Sequence, residues 1–449
     1  MSLIASDNFK IVIGLGKTGL ACARYLQGKG IHFAVVDSRE KPSGAAELAA
    51  EMPDVHLRCG PFDADFLRTA DELFVSPGVA VSDPAIQAAE KNGVKLSGDI
   101  DLFCREIKAP IIAITGSNAK STVTTLVGAM AVEAGLSVGV CGNIGTPVLD
   151  FLTEPEKDLY VMELSSFQLE TTNDLRAEVA TVLNISPDHM DRYDSVQHYY
   201  QAKHRIFRGA HHVVINRDDA LTAPLMPKDV SITSYHLGKP DLKLFGLIQE
   251  GEKIFLGLGL EKIMPVDQLK IRGRHNISNA LAALALGQAA GLPLEAMVNA
   301  LKVFPGLDHR CQWVCDHRGV SYFNDSKGTN VGATVAALIG LGDTLPHESK
   351  IVLIAGGVGK GAEFSELEAP VEKYCRAIVY IGEDGSELAT ACGDVLKQPA
   401  VDMSEAVNTA ASIAKSGDIV LLSPACASFD MFSGFPDRGD KFMSAVEAL

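Results

Sequence analysis

Short apolar runs recur along the chain, each followed by a glycine-containing turn and then by a stretch whose apolar positions return every three or four residues. The runs read as buried strands and the stretches as amphipathic helices, so the alternation predicts an α/β protein with mainly parallel sheets. The first cycle predicts a strand over 10–14, a helix over 18–27 and a strand over 33–37, with a third strand over 72–76 stopping at Pro77-Gly78. Gly98-Asp99-Ile100-Asp101 then leads into a strand over 110–115, which places a boundary near residue 97. Further strands are expected over 137–141, 159–164, 179–185 and 213–216, and short strand-like pieces over 231–271 precede an Ala/Leu-rich helix over 278–291. Phe304-Pro305-Gly306-Leu307 is a turn signal, and the block after it carries strands near 314 and over 320–324, 351–355, 377–381 and 419–422. No internal repeat or low-complexity tract interrupts this rhythm. Three α/β units in series are expected, over 1–97, 98–306 and 307–449.

Composition narrows the class of protein. With 449 residues the chain is too long for one ordinary core. At 47% hydrophobic and 21% charged residues it has the profile of a folded protein rather than a disordered one. The net charge of −16, from 40 basic and 56 acidic residues, argues against a dedicated nucleic-acid binder. It leaves room for anionic small substrates, which need only a local cluster of donors. Met1-Ser2-Leu3-Ile4-Ala5-Ser6-Asp7 lacks a basic start and an apolar stretch, and no run is long enough to span a bilayer. A cytoplasmic, membrane-free protein is expected. The 9 cysteines are scattered, Cys311 and Cys315 being the nearest pair, so buried reduced thiols are expected rather than disulfides or zinc.

Two glycine motifs sit between a predicted strand and a predicted helix. Gly14-Leu15-Gly16-Lys17-Thr18-Gly19 has the Gly-x-Gly-x-x-Gly spacing, and Asp37 ends the next strand. This arrangement could bind NAD with Asp37 on the ribose, or another nucleotide diphosphate, or could serve only close strand–helix packing. In the second motif, Pro110-Ile111-Ile112-Ala113-Ile114-Thr115 runs into Gly116-Ser117-Asn118-Ala119, and Lys120-Ser121-Thr122 opens a helix. Loop amides there can cradle phosphates, Lys120 can neutralise the terminal one, and the Ser121 hydroxyl can ligate Mg²⁺. The strict phosphate-loop spelling would put glycine at 114 and 119, where Ile114 and Ala119 stand.

Around this loop the sequence resembles the Mur ligases of peptidoglycan synthesis, whose loop reads Thr-Gly-(Ser/Thr)-Asn-Gly-Lys-(Ser/Thr). Four later segments extend the likeness over the whole chain in matching order: 163–169 (Glu-Leu-Ser-Ser-Phe-Gln-Leu), 184–192 (Asn-Ile-Ser-Pro-Asp-His-Met-Asp-Arg), 324–330 (Asn-Asp-Ser-Lys-Gly-Thr-Asn) and 423–430 (Ser-Pro-Ala-Cys-Ala-Ser-Phe-Asp). They narrow it to the branch that adds D-glutamate to UDP-N-acetylmuramoyl-L-alanine with ATP and Mg²⁺, through an acyl phosphate. The resemblance implies a Rossmann-like N-terminal domain, a central P-loop ATPase-like domain with a mainly parallel sheet, a Rossmann-like C-terminal domain, and a monomer. Ala119 departs from the family glycine. An ordinary negative φ is expected there, since a left-handed alanine would cost about 1 kcal/mol.

The resemblance also distributes the site. It turns the first glycine motif towards the UDP part of the substrate: Leu15, Gly16, Lys17 and Thr18 at the diphosphate, Asp37 and Ser38 at the uracil, with Gly78, Asn143 and His189 as further contacts. It assigns ATP to 116–122, Asn276, Asn279, Arg310, Asp325 and Lys327, although either asparagine could simply cap the helix it opens. It assigns the metal to Ser121, Glu163, His189 and Lys203, and the amino acid to Thr329, Lys360, Ser428 and Phe435. Lys203 also has a reading from its own pattern. A helix over 195–210 carries Val196, Tyr199, Tyr200 and Phe207 on one stripe, and Lys203 falls on that stripe and points inward. It could be a snorkelling lysine, or burial could favour a neutral amine able to add CO₂. The resemblance implies the carbamate. Lys120, His189 and Lys203 are the expected catalytic groups. A folylpolyglutamate-type ligase, an NAD-dependent dehydrogenase and a silent nucleotide-binding scaffold are the alternatives.

Overall fold

The computed structural model describes residues 9–225, 230–346 and 348–449, so the segment 1–7 read above for an export signal lies outside the described residues. Three sheets follow one another along the chain. The first holds β1 (Phe9–Ile13), β2 (His32–Asp37), β3 (Leu57–Cys59), β4 (Glu72–Val75) and β5 (Lys95–Ser97), all parallel in the order β3-β2-β1-β4-β5. The second holds β6 (Ile111–Thr115), β7 (Val138–Gly142), β8 (Leu159–Glu163), β9 (Val179–Val182), β10 (His212–Asn216), β11 (Ser231–Tyr235), β12 (Leu244–Glu250), β13 (Lys253–Leu258) and β14 (Glu261–Pro265). Its order is β14-β13-β12-β11-β10-β9-β6-β8-β7, parallel from β7 to β12 and antiparallel beyond. The third holds β15 (Gln312–His317), β16 (Val320–Asn324), β17 (Ile351–Gly356), β18 (Cys375–Ile381), β19 (Leu396–Pro399) and β20 (Ile419–Leu422). It runs β15-β16-β20-β17-β18-β19, and only the β15–β16 pair is antiparallel.

Every residue of β6, β8 and β17 is buried, because helices cover both faces; this is why these strands appear as unbroken apolar runs. The pattern missed β3, β5 and β19. They are three or four residues long and lie at sheet edges, β3 and β5 with an exposed basic residue and β19 with an exposed leucine and proline, too little for a periodic signal. The predicted helix over 195–210 is observed as Val196–His204 followed by a 3₁₀ turn, Arg205–Phe207.

The sheet orders fix where ligands can go. The chain leaves β1 towards β2 on one side, whereas β4 pairs on the other, and β6 is likewise flanked by β8 and β9. Such reversals open a crevice at the carboxyl ends of the strands. The helix Asp99–Glu106, just past the expected boundary, packs on the helix Lys17–Gly28 of the first unit. Its Asp101 carboxylate accepts from the Asn173 backbone N–H (2.8 Å) and side-chain amide (3.0 Å) of the second.

Candidate active site

The loop after β6 is held from behind. Ser117 N–H donates to the Asn184 carbonyl (2.9 Å), Asn118 N–H to Asn184 Oδ1 (2.8 Å), and the Ser117 hydroxyl to the Ser186 carbonyl (2.8 Å). The Tyr199 hydroxyl lies 3.1 Å from the same Ser117 oxygen. Pinned in this way, the chain must enter the helix Lys120–Glu133 within four residues of β6, and Ala119 makes the turn at φ +65° in the left-handed region. The expectation of negative φ at Ala119 is therefore wrong. The conformation is one that glycine adopts at little cost, and here alanine bears the strain.

Behind the loop lies a buried cluster of charge. Lys120 Nζ donates to the carbonyls of Gly116 (2.9 Å) and Ser117 (3.0 Å), and Lys203 Nζ donates to the Gly116 carbonyl (2.9 Å). Lys203 is 1% exposed, as its stripe position predicted. Burial pushes its ammonium well below the ordinary lysine value, and the neighbouring charge of Lys120 adds to this. Burial also lowers Lys120, opposed by Glu163 and Asp188. Glu163, at the end of β8, is 1% exposed; its Oε1 accepts from Asn143 Nδ2 at 2.8 Å and its Oε2 has no partner among the described residues. A buried carboxylate oxygen left unpaired among cations is costly unless a further cation completes it.

The donor set fits Mg²⁺. Among the described residues no three His, Cys, Asp or Glu side chains converge on one point. A magnesium ion held mainly by phosphate and water needs only one or two protein ligands, which Glu163 Oε2 and Ser121 Oγ can provide.

One cleft opens on the far side of the loop, lined by Asn118, Ala119, Thr122, Asn276, Asn279, Arg310, Asp325 and Lys327. Neither asparagine caps its helix. Gly273 is the N-cap, Asn276 Nδ2 donates to the Arg272 carbonyl (2.8 Å), and Asn279 Nδ2 donates to Asn276 Oδ1 (3.0 Å). Arg310 comes from the third unit and donates to Ser121 Oγ at 2.6 Å. Burial, with Arg310 and Lys120 nearby, brings Lys327 down to about 8, and its ammonium sits 4.2 Å over the Phe435 ring. Burial raises Asp325 to about 7 against the donors Ser423 and Cys311 N–H.

A second cleft lies at the carboxyl ends of β1 and β4, lined by Gly16, Lys17, Thr18, Asp37, Ser38, Gly78 and Asn143. Leu15 is absent from its wall: the side chain is fully buried, and the Leu15 N–H donates to Asp37 Oδ2 at 2.7 Å. Arg39 takes both oxygens of the same carboxylate (2.9 and 2.6 Å). Burial opposes ionisation of Asp37, but these donors hold it at about 2. Gly19 serves packing, since a Cβ there would fall 1.8 Å from the Gly14 carbonyl oxygen.

A third cleft is lined by Asp188, His189, Thr329, Asn330 and Lys360. Across it Lys360 Nζ donates to Asp188 Oδ1 (3.1 Å), and Asn330 Nδ2 to Asp188 Oδ2 (3.1 Å) and Asn118 Oδ1 (3.2 Å). His189 lies here rather than on the wall with Asp37 and Gly78, and burial lowers its imidazole against the pull of Asp188. Ser428 and Phe435 are not on this wall either. Ser428 is buried, and the Phe435 ring lies under Lys327, which lines the first cleft.

Sequence reasoning passed over Asn184, Asn330, Arg39 and Arg438. Asn330 had a local signal, because its side chain caps the helix Val331–Gly342. The others act on residues distant in the chain or look like ordinary surface charges.

Comparison with known proteins bears on the whole chain. Residues 8–98 match a family model described as Mur ligase MurD-like, N-terminal domain; residues 114–287 match the Mur ligase middle domain, and 309–426 the Mur ligase, glutamate ligase domain. A UDP-N-acetylmuramoylalanine–D-glutamate ligase of Pseudomonas aeruginosa is 58% identical over 450 residues, covering all of both chains. One from Hahella chejuensis is 54% identical with the same coverage. Among solved structures, a pseudomurein peptide ligase type C from Methanothermus fervidus superposes with a TM-score of 0.61 at 18% identity, covering 98% of this chain and 99% of its own. A UDP-N-acetylmuramate–alanine ligase from Thermotoga maritima gives 0.57 at 18% identity, with 98% and 99% covered. At that identity these two establish the fold alone.

Proposed function

The chain belongs to the Mur ligase family, and we propose that it uses ATP to join D-glutamate to UDP-N-acetylmuramoyl-L-alanine. Relatives named for that reaction match it from end to end. The observation that carries the mechanism is the unpartnered Glu163 Oε2, buried beside the phosphate loop where Asn143 connects it to the second cleft.

In this reading the nucleotide occupies the cleft beside Asn276 and Asn279. Lys120, Arg310 and Lys327 face its phosphates, and Thr122 with the N–H groups that open the helix Lys120–Glu133 cradles them, the Ser117 and Asn118 N–H groups being held by Asn184. The UDP end of the acceptor lies against Gly16, Lys17, Thr18, Ser38 and Gly78, so that its alanyl carboxylate reaches past Asn143 to the loop. Glu163 and Ser121, together with His189, would hold Mg²⁺, which would neutralise charge on the phosphates. The carboxylate oxygen attacks the γ-phosphorus, the bond to the β–γ bridging oxygen breaks, and ADP leaves. Lys120 stabilises the charge that develops in this step. The free amine of D-glutamate, held by Thr329 and Lys360, attacks the acyl carbon. Phosphate departs, the nitrogen loses a proton, and an amide remains. The bridges from Asn330 and Lys360 to the second unit keep water from the acyl phosphate.

Lys203 completes the proposal. Its amine is buried and displaced towards the neutral form, the form that adds CO₂. The N–C bond forms, one proton is released, and an anionic carbamate faces the surrounding cations. The reaction is placed in the cytoplasm, where ATP and UDP-linked precursors meet. Among the described residues no helix is long and apolar enough to cross a membrane.

ADP release with UDP-N-acetylmuramoyl-L-alanine, measured with and without D-glutamate, tests the reading. Release that depends on D-glutamate and not on L-glutamate is expected. Absence of any such dependence removes it.

A further inference from the structure

We infer that Arg192 is a positioning residue for the UDP-linked substrate, clamping the Pro77–Val79 turn of the first unit to the His189 loop of the second; the inference rests on the proposed reading of the second cleft. Arg192 Nη1 donates to the Pro77 carbonyl (3.2 Å) and Nη2 to the Val79 carbonyl (3.0 Å). The same Nη2 reaches Glu170 Oε2 at 2.7 Å, and the guanidinium stands 4.5 Å over the Phe167 ring. Side-chain exposures of 16% for Arg192 and 12% for Glu170 keep this pair largely out of solvent. Phe167 in turn meets the His189 ring edge-on at 4.8 Å, and the Arg192 backbone N–H donates to the His189 carbonyl (2.9 Å).

Gly78 lies between the two carbonyls that Arg192 holds and is part of the cleft wall. The Pro77 carbonyl and the Gly78 N–H share one planar trans peptide and point in opposite directions. With the carbonyl fixed on Arg192, the Gly78 N–H is aimed away from it. That N–H has no hydrogen-bond partner among the described residues. The turn is anchored on its other side by Val79 N–H to the Ser76 carbonyl (2.9 Å) and by the Ser76 hydroxyl to the Gly14 carbonyl (2.8 Å). One guanidinium thus sets the direction of a backbone donor in the substrate cleft and also braces the loop that carries His189. Lysine cannot reproduce this, since a single ammonium lacks the planar fork that reaches two carbonyls and a carboxylate.

The test is Arg192→Lys, with Glu170→Gln as a milder second variant that loosens the guanidinium without removing it. KM is measured for each substrate, and the Kd of UDP alone by titration calorimetry. Arg192→Lys is expected to raise the KM for the UDP-linked substrate and the Kd for UDP by about tenfold, as loss of one charge-assisted hydrogen bond would. KM for ATP should hardly move, and any rise for D-glutamate, whose cleft holds His189, should be clearly smaller than that for the UDP-linked substrate; Glu170→Gln should show the same pattern, weaker. Unchanged UDP affinity in both variants, or an equal loss across all substrates, overturns the proposal. UDP binding by the wild type without D-glutamate-dependent ADP release would defeat the proposed reaction, and the UDP titration would still decide the role of Arg192.

Discussion

Lys120 and Lys203 donate to one acceptor: each Nζ lies 2.9 Å from the Gly116 carbonyl oxygen. Two buried ammonium groups on one carbonyl repel, and burial displaces the more deeply buried one, Lys203, further towards its neutral form. Lys203→Ala should therefore lower kcat by at least about a hundredfold, a loss of roughly 2.7 kcal/mol in transition-state stabilisation. Short carboxylic acids should restore part of it by supplying an anion to the space. Full activity in the variant, with no response to acetate or formate, would remove Lys203 from the mechanism.

Ala119→Gly should stabilise the central unit by about 0.5–1 kcal/mol in denaturant unfolding, because φ +65° costs glycine little. The KM for ATP should stay within about twofold. A loss of stability would mean that the loop does not impose this conformation.

That position marks the boundary of what sequence could show. The strand, the loop, Lys120 at the helix start and the inward face of Lys203 are local properties, and all were legible. The left-handed turn at Ala119 was not, because it is imposed by Asn184, Ser186 and Tyr199, more than sixty residues away. The pairings of Ser121 with Arg310 and of Asp188 with Lys360 join different units, and no periodicity encodes them. Leu15 shows a related limit: the motif places the backbone near a ligand and says nothing of the side chain, which lies in the core.

The lowered value of Lys327, about 8, sets an alkaline limit. Below it the ammonium is charged and available to phosphate; above it the group is neutral. The kcat/KM for ATP should fall as pH rises through about 8, and Lys327→Arg should shift that fall upward. The stability effect has the opposite sense: between about 8 and the ordinary lysine value the unfolded chain binds more protons than the folded one, so this group's contribution rises with pH. An activity profile that is flat to pH 9.5 would contradict the assignment.

Lys360→Met removes the bridge to Asp188 and a cation on the third cleft. The KM for D-glutamate should rise by about tenfold or more, with the KM for ATP changed by less than about threefold. Equal effects on both would point to a general loss of closure instead.

Gly19→Ala would place a carbon 1.8 Å from the Gly14 oxygen, so β1 and the helix Lys17–Gly28 must part. Destabilisation of more than about 2 kcal/mol is expected, with weakened UDP binding and preserved ATP binding. Equilibrium unfolding and separate titrations of the two nucleotides distinguish these effects.

Arg438 has no exposed surface and, among the described residues, no carboxylate partner; it donates to the carbonyls of Ser326 (2.7 Å) and Cys426 (3.1 Å) and to the Ser326 hydroxyl (3.0 Å). This cation lies in the helix Phe435–Glu447, yet by holding Ser326 it completes the setting of Asp325 and Lys327. During vectorial synthesis the first unit can fold while the rest is still being made. The third cannot seat the strand end that carries Asp325 and Lys327 until the helix bearing Arg438, more than a hundred residues further along, has been made.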